Sequence, residues 1–572
     1  MRTRLLGQYT LFLALLAFLV GGLLYPIALT VRGGFATDPA KGTGFTLRHI
    51  LAIFEDPVLL QGLLNSFSIA AATTALSTII ALPLAVLAAR YRYPLKAAWS
   101  ALVLVPLILP PFVGAIGFKM ILGREGALNA LLGTSFDILG QARFWGVVVA
   151  ESLALYPIVY LNATAALANL DPALDEAAEN LGAGPIKRFF RITLPLIRPG
   201  LFAGGTVVFV WSFTELGTPL MFDYYAVTPV QIFSGIKEVS ASAQPYALTI
   251  VMLTCSLILY ALGKLAFGGR AHAMQSRASR AATEKTLRPA AAFLASALFA
   301  LITGLALLPH LGVILTSLAV DGSWYATVLP QQFTLSHFEQ ALGHPLAFGA
   351  IKMSLGLASA AVVLNLLLGI LIGYVIVRTR IRGRWLLDSL SMLPLAVPGL
   401  VMAFGYVAMS LRWPFADGDP LAGWADIVGA QPNPIPLLIL AYSVRRLPYV
   451  VRATVAGLEQ TSGEMEEAAV NLGASTFRAV RSIIIPLIAA NLIAGALLAF
   501  SFAMLEVSDS LILAQQEKHF PITKAIYTFA DRLGDGAAIA SAMGVWGMAL
   551  LTVTLIGASI LMGRKLGAIF RV

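Results

Sequence analysis

The sequence contains a single cysteine, Cys255. No intrachain disulfide can form from it, and neither a paired-cysteine redox motif nor a cysteine-based zinc site can be built, so Cys255 is read as a packing residue. Charge is also scarce: 12% of the 572 residues are Asp, Glu, Lys or Arg, against 58% hydrophobic, and the mean hydropathy is +0.83. A soluble fold of this composition would lack the polar surface to cover itself, so lipid has to be its main solvent. No GxxxxGK[ST] phosphate loop occurs, which removes the usual nucleotide cradle from this chain. The histidines, His49, His272, His310, His337, His344 and His519, are scattered without ligand spacing, which argues against a metal site or a membrane enzyme.

What is present is a series of long apolar runs. Each is long enough to cross a hydrocarbon layer of about 30 Å at a helical rise of about 1.5 Å per residue. They lie near 10–31, 61–89, 97–118, 144–170, 199–217, 244–267, 290–318, 348–377, 386–410, 435–457, 489–513 and 537–562. The runs are continuously apolar and do not alternate as a barrel wall would, so the fold class is an all-α membrane protein with about 12 transmembrane helices. The first run follows Arg2 and Arg4 but lacks a small-residue cleavage site, and is read as a retained span. A formal charge of +10 could point to nucleic acid, yet the basic residues collect in alternate loops, as in Arg90, Arg92 and Lys96 or Arg378, Arg380, Arg382 and Arg384. With the N-terminus inside, the inner segments hold about twice as many Lys and Arg as the outer ones, which is the positive-inside pattern. The basicity therefore reports topology, and no nucleic-acid partner is expected.

The chain repeats. Pro106, Pro110 and Gly117 recur 288 positions later as Pro394, Pro398 and Gly405, and Pro157 recurs 291 positions later as Pro448. The expected organisation is a first half at 1–267, a basic cytoplasmic linker at 268–289 and a second half at 290–572. Six spans per half make the repeats parallel, related by an axis along the membrane normal. Such repeats occur in secondary carriers as well, so duplication alone does not name the energy source.

The loop between the fourth and fifth spans carries the strongest motif. It reads Asp175-Glu176-Ala177-Ala178-Glu179-Asn180-Leu181-Gly182-Ala183 in the first half and Glu466-Glu467-Ala468-Ala469-Val470-Asn471-Leu472-Gly473-Ala474 in the second. Glu-Ala-Ala favours helix, and a glycine six residues after the Glu suits a helix end in the left-handed region. Pro185 and the Ser475-Thr476 pair then suit the start of a second helix, so each loop is expected to be a helix-turn-helix elbow. Acidic leading residues and a place between apolar spans oppose a DNA-binding reading. A single copy of this pattern would pass for a solvated connector, but two copies at equal spacing do not.

This pattern resembles the EAA loop of bacterial binding-protein-dependent ABC importers of the small type I class, and the resemblance covers nearly the whole chain. It implies a permease subunit in the bacterial inner membrane with both termini cytoplasmic. It further implies coupling to two copies of a separate ABC ATPase subunit through Glu176, Ala177, Ala178, Gly182, Glu467, Ala468, Ala469 and Gly473. ATP would be bound by those partners, with no cofactor and no catalytic or metal site in this chain, and an extracytoplasmic solute-binding protein would deliver the cargo. The Arg446-Leu447-Pro448-Tyr449 run resembles the ferric-iron importer group, whose relatives take thiamine, phosphonates and polyamines. A secondary transporter driven by an ion gradient is the rival class, separated by whether an ATPase co-purifies.

Ionisable groups inside spans cost a few kcal/mol on insertion scales and are functional candidates by default. Glu215 and Glu506 are equivalent, 291 residues apart, and are expected to face each other across the pathway, with Asp509 following in the second half. Glu151 in the fourth span and Arg445 and Arg446 in the tenth are expected to pair, as pathway groups or as structural salt bridges. Hard carboxylate oxygens suit a trivalent cation, whereas arginines suit an anion such as a phosphonate. Replacing Gly182 and Gly473 together by bulky residues is expected to uncouple ATP hydrolysis from uptake while membrane insertion stays intact. Reconstituted transport measures this, and an unchanged transport rate would count against the loop assignment.

Overall fold

The computed structural model describes residues 2–38, 42–137, 139, 143–238, 242–267, 285–429 and 431–562. The greater part of the expected linker, 268–284, and the C-terminal 563–572 lie outside the described residues. Among the described residues nearly all regular structure is helix. The exception is a two-residue parallel pairing of Tyr91–Arg92 with Lys285–Thr286.

Eight helices are long and apolar enough to cross a membrane: Gly7–Phe35, Pro57–Arg90, Arg143–Ala168, Pro185–Phe213, Gln244–Leu262, Pro289–Leu318, Pro345–Arg378 and Gly536–Ala558. Three more spans are broken pairs, Lys96–Ile108 with Pro111–Leu132, Arg384–Leu395 with Gly399–Ser410, and Phe477–Leu487 with Ala489–Met504, bent by 97°, 105° and 78°. The helix Ile435–Glu459 occupies the remaining place in the second half. Its 25 residues suffice to span, but Arg445, Arg446 and Arg452 hide it from a count by apolarity. We number these twelve elements spans 1 to 12 in chain order.

Local chemistry explains the ends and breaks. Spans 2 and 8 both begin with proline at the first helical position, where its missing N–H costs nothing. Asp56 Oδ1 caps span 2, accepting from Val58 N at 2.8 Å, and at the equivalent place His344 Nδ1 accepts from Leu346 N at 3.2 Å. The repeated prolines do more than kink spans 3 and 9. Pro110 and Pro398 hold nearly the same extended backbone, ψ 137° in each, and start new helices at Pro111 and Gly399. Span 5 starts earlier than the apolar run at 199 indicated, because the second limb of the elbow runs into it through a wide turn at Phe189–Thr193.

The two halves interlock. Span 1 reaches across from its own half: Phe12, Leu15 and Leu19 pack with Ile372, Val375 and Val451 of the second half, and Tyr406 Oη donates to Gly22 O at 2.8 Å, while Gly33 and Gly34 stay against Tyr246 and Ile250 of span 6. Span 7 makes the reciprocal move, with Phe299 against Tyr93 and Trp99 of the first half. Small residues allow each crossing. A Cβ on Gly117 would lie 2.2 Å from Pro309 O in span 7, and one on Gly405 would lie 2.9 Å from the backbone of Pro26 in span 1. Backbone cannot yield as a side chain does, so Gly117→Leu or Gly405→Leu is expected to lower the melting temperature and the yield of monodisperse protein in detergent. Gly304→Leu, which has open space around it, is expected to change neither.

Candidate functional site

Spans 5 and 11 stop short in the middle of the protein. Their helices end at Phe213 and Met504, and after a break new short helices begin at Gly217 and Ser508. Glu215 and Glu506 sit in these breaks, so both acids stand where the helical ladder is interrupted. Glu215 Oε1 accepts from Thr218 N at 3.2 Å and from Thr218 Oγ1 at 3.3 Å, which satisfies the start of the next helix. In the second half the equivalent of Thr218 is Asp509, and Glu506 turns instead to arginine.

These breaks meet the breaks of spans 3 and 9 around a cavity of about 230 Å³ between the halves. Its wall includes Glu151, Glu215, Arg445, Arg446, Tyr449 and Glu506, with prolines 106, 110, 111, 394 and 398 at the bends. Asp509 stands behind this wall, 3.4 Å from Arg445 Nη1. All six charged residues singled out in the sequence therefore gather at one place.

Their pairing differs from expectation. Arg445 and Arg446 do not pair with Glu151. Arg445 Nη1 lies 2.9 Å from Glu506 Oε1, and Arg446 Nη2 is bonded to the other oxygen of Glu506. Glu151 is fully buried on span 4, and its Oε2 accepts from Ser212 Oγ and, at 3.4 Å, from Thr73 Oγ1. Its Oε1 has no hydrogen-bond partner. The reason is where the helices put the cations. The Arg445 guanidinium occupies the space that a side chain at residue 399 would fill, its Nη2 only 1.9 Å from the position of a Cβ. There it meets the positive end of the helix Gly399–Ser410, an unfavourable place for a cation unless carboxylates offset it. Glu506 and Asp509 supply that offset. The cavity wall thus has three carboxylates and two guanidiniums, with Asp509 behind it; both guanidiniums are ion-paired within the second half, and among the described residues Glu151 and Glu215 belong to no ion pair. Among the described residues no group of three or more His, Cys, Asp or Glu converges as a metal cage.

The two elbows form as expected. Pro172–Asn180 ends at Gly182 with φ +79°, and Glu464–Asn471 ends at Gly473 with φ +94°. The ends close alike, Ala183 N donating to Ala178 O and Ala474 N to Ala469 O, each at 3.0 Å. A left-handed backbone, not lack of room, requires glycine here, since open space surrounds both residues. Ser475 Oγ accepts from Arg478 N at 3.3 Å, capping the second limb. Glu176, Ala177, Glu467 and Ala468 are exposed, whereas Ala178 is buried and Ala469 half-buried. At the tips Leu181 is 88% and Leu472 89% exposed, with Ile186 and Phe477 also exposed at equivalent places. The acids just before the motif glutamates, Asp175 and Glu466, face inward to Arg90 and Arg378 at the ends of spans 2 and 8. The motif reading passed over these four, although Arg90 and Arg378 recur at the same 288-residue offset as the prolines.

A duplicated bundle of spans with broken helices around a charged central cavity defines a multi-pass membrane transport protein. The chain belongs to the family of binding-protein-dependent transport system inner membrane components, whose sequence profile matches residues 81–267 and again 365–563. It is the permease of an ABC importer, a transport component without catalytic function of its own. It is 27% identical over 489 residues to the putative ferric transport system permease protein FbpB 1 of Haemophilus influenzae, across 82% of this chain and 73% of that protein. It is 26% identical to the ferric transport system permease protein FbpB of Actinobacillus pleuropneumoniae, across 82% of this chain and 67% of that protein. A probable molybdenum ABC transporter permease protein of Haloferax volcanii is 31% identical over 244 residues, 42% of this chain and 85% of that protein.

Removing one member of a buried ion pair leaves the other charge uncompensated, at a cost of about 3–5 kcal/mol. Glu506→Gln is therefore expected to lower the thermal stability of the purified protein sharply. Glu151→Gln, which relieves a carboxylate with an orphaned oxygen, is expected to leave stability unchanged or raise it. Thermal unfolding in detergent measures both.

Proposed function

We propose that this chain forms the pathway of an ATP-driven importer of ferric iron. The cargo passes through the cavity between the halves, and two copies of a separate ATPase subunit grip the two elbows. The observation that carries the cargo assignment is the surplus of carboxylates in the cavity. Glu151 and Glu215 line the cavity and, among the described residues, belong to no ion pair, so they offer hard oxygen donors, the donor type that suits a trivalent metal ion. The ferric transport permeases among the relatives support the same reading. A transit site has to release what it admits, and two carboxylates flanked by the hydroxyls of Ser212, Thr73 and Thr218 offer few donors and so a weak site of that kind.

The elbows support the coupling assignment. Leucines almost fully exposed at equivalent tips, beside exposed Ile186 and Phe477, form apolar knobs that fit a groove on a partner. Glu176, Ala177, Ala178 and Gly182 with Glu467, Ala468, Ala469 and Gly473 are the docking elements in this reading. ATP is bound on the partner subunits, and a solute-binding protein delivers the cargo on the opposite side of the membrane. The elbows, both termini and the basic linker at 268–289 then lie in the cytoplasm, with the halves at 1–267 and 290–572. Approach of the two ATPase subunits draws the elbows together and opens the cavity outward.

An oxyanion cargo has one observation in its favour, the two arginines on the cavity wall, and the molybdenum permease among the relatives goes with it. Those guanidiniums are already held by Glu506 and Asp509, which weighs against it.

Uptake of radiolabelled ferric iron by cells producing the permease with its ATPase and binding protein tests the assignment, with molybdate, a phosphonate, thiamine and a polyamine as alternative cargoes. Iron is expected to enter, and Glu151→Gln or Glu215→Gln is expected to reduce the rate roughly tenfold or more, a barrier change above about 1.4 kcal/mol. Entry of another of these solutes in place of iron would overturn the cargo assignment.

A further inference from the structure

The elbows are tied to the spans by two ion pairs at equivalent places, and the second pair is the more buried and the more elaborate. Arg378 at the end of span 8 lies 3.8 Å from Glu466 in the elbow, and Tyr374 Oη, one turn earlier in the same span, donates to Glu466 at 2.6 Å. Both charged side chains are largely buried, 16% and 10% exposed. The other edge of the Arg378 guanidinium closes the end of span 10: Nη2 donates to Leu458 O at 3.1 Å, to Thr461 O at 2.8 Å and to Thr461 Oγ1 at 2.9 Å. One side chain therefore joins three bodies: span 8, the elbow and the C-terminal end of span 10. Span 10 is a single helix, Ile435–Glu459, and it carries Arg445 and Arg446 on the cavity wall about 20 Å away at 1.5 Å per residue.

In the first half the corresponding clasp is more exposed and has a different third member. Arg90 lies 3.7 Å from Asp175 and donates to Thr193 Oγ1 at 2.8 Å, so it joins the two limbs of the elbow to span 2 without touching the end of span 4. Its side chains are more exposed, 27% and 24%, and Val86 takes the place of Tyr374. A more exposed pair is screened more by solvent and holds its partners more weakly, although Arg188 also lies 3.8 Å from Asp175. Glu179 adds a further tie in this half, to Arg188 and to Lys285 at 3.0 Å, and those hydrogen bonds hold its carboxyl below the usual carboxylate range.

We propose that Glu466, Arg378 and Tyr374 are positioning residues that carry movement of the second elbow into span 10 and so to the arginines of the cavity, and that the first-half clasp transmits less. A rigid link between elbow and span is needed because the elbow turn itself, at Gly473, is exposed with open space beside it. The inference rests on the importer reading, in which the elbows are driven by ATPase subunits.

The test uses the permease assembled with its ATPase in lipid nanodiscs. Spin labels are placed at Asn169→Cys and Gln460→Cys, exposed and equivalent positions just past spans 4 and 10, in a Cys255→Ser background. The distance between labels is measured without nucleotide and with ATP trapped by vanadate, beside the rate of ATP hydrolysis. In the intact clasp the distance is expected to change on trapping. Glu466→Ala and Tyr374→Phe are each expected to cut that change by more than half while hydrolysis stays within about twofold. Glu466→Asp is expected to restore most of it, and Asp175→Ala to have a smaller effect than Glu466→Ala. A full distance change in Glu466→Ala, or in Tyr374→Phe where the alanine variant does not assemble, would overturn the proposal. An absence of any nucleotide-driven change with the clasp intact would instead overturn the importer reading on which it rests.

Discussion

A chain surrounded by hydrocarbon has to satisfy its polar groups from within, because an unpaired backbone donor or charge at that depth costs several kcal/mol. The architecture follows from how this chain meets that condition at four helix breaks. Spans 3 and 9 stop at Pro110 and Pro398, and spans 5 and 11 stop before Glu215 and Glu506. None of these interruptions is tolerable facing lipid. They are tolerable facing one another, around a polar cavity, with Thr218 donating to Glu215 in one half and arginines donating to Glu506 in the other. The exchange of spans 1 and 7 serves the same end, since each wraps the broken span of the opposite half at a glycine crossing and shields it from lipid.

Duplication supplied the frame, and divergence supplied the chemistry. The frame is nearly symmetric: Arg90 and Arg378, Leu181 and Leu472, and Gly182 and Gly473 are pairs in structure as in sequence. The cavity is not. Across the repeat Ala154 and Leu155 correspond to Arg445 and Arg446, Thr218 to Asp509, and Glu151 to Tyr442. One half thus holds a self-neutralised ionic cluster that fixes the wall, while the other holds carboxylates that, among the described residues, belong to no ion pair. A fused chain permits this asymmetry, because the two halves can change independently while remaining in fixed proportion.

Much of this was legible in the residues. Apolar run length located the spans, the offsets of 288 and 291 exposed the repeat, and the Glu-to-Gly spacing placed the left-handed turns at Gly182 and Gly473. The gathering of Glu151, Glu215, Glu506, Asp509, Arg445 and Arg446 also followed, since each is too costly in lipid to point outward. Partner choice did not follow. Whether Arg445 meets Glu151 or Glu506 depends on the rotation of span 10 and on the room left by Gly399, neither of which leaves a mark in composition. The size of the bends at Pro110 and Pro398 is not legible either, because proline says that a helix is disturbed, not by how much. Span 5 was read as beginning at 199 because its polar first turns belong to the elbow, and hydropathy sees no helix in an exposed segment. Asp175 and Glu466 were overlooked because a charged residue in a soluble loop is ordinarily a solvated one.

The central claim is that the cavity between the halves opens to one side of the membrane at a time under control of nucleotide at the elbows. The most direct measurement is labelling of single cysteines at Ala154 and Ser508, both on the cavity wall, by a membrane-impermeant thiol reagent applied from one side of oriented vesicles holding the full complex. Both positions should react from the elbow side without nucleotide and from the opposite side when ATP is trapped. Labelling from the same side in both conditions, or from neither, would contradict the account.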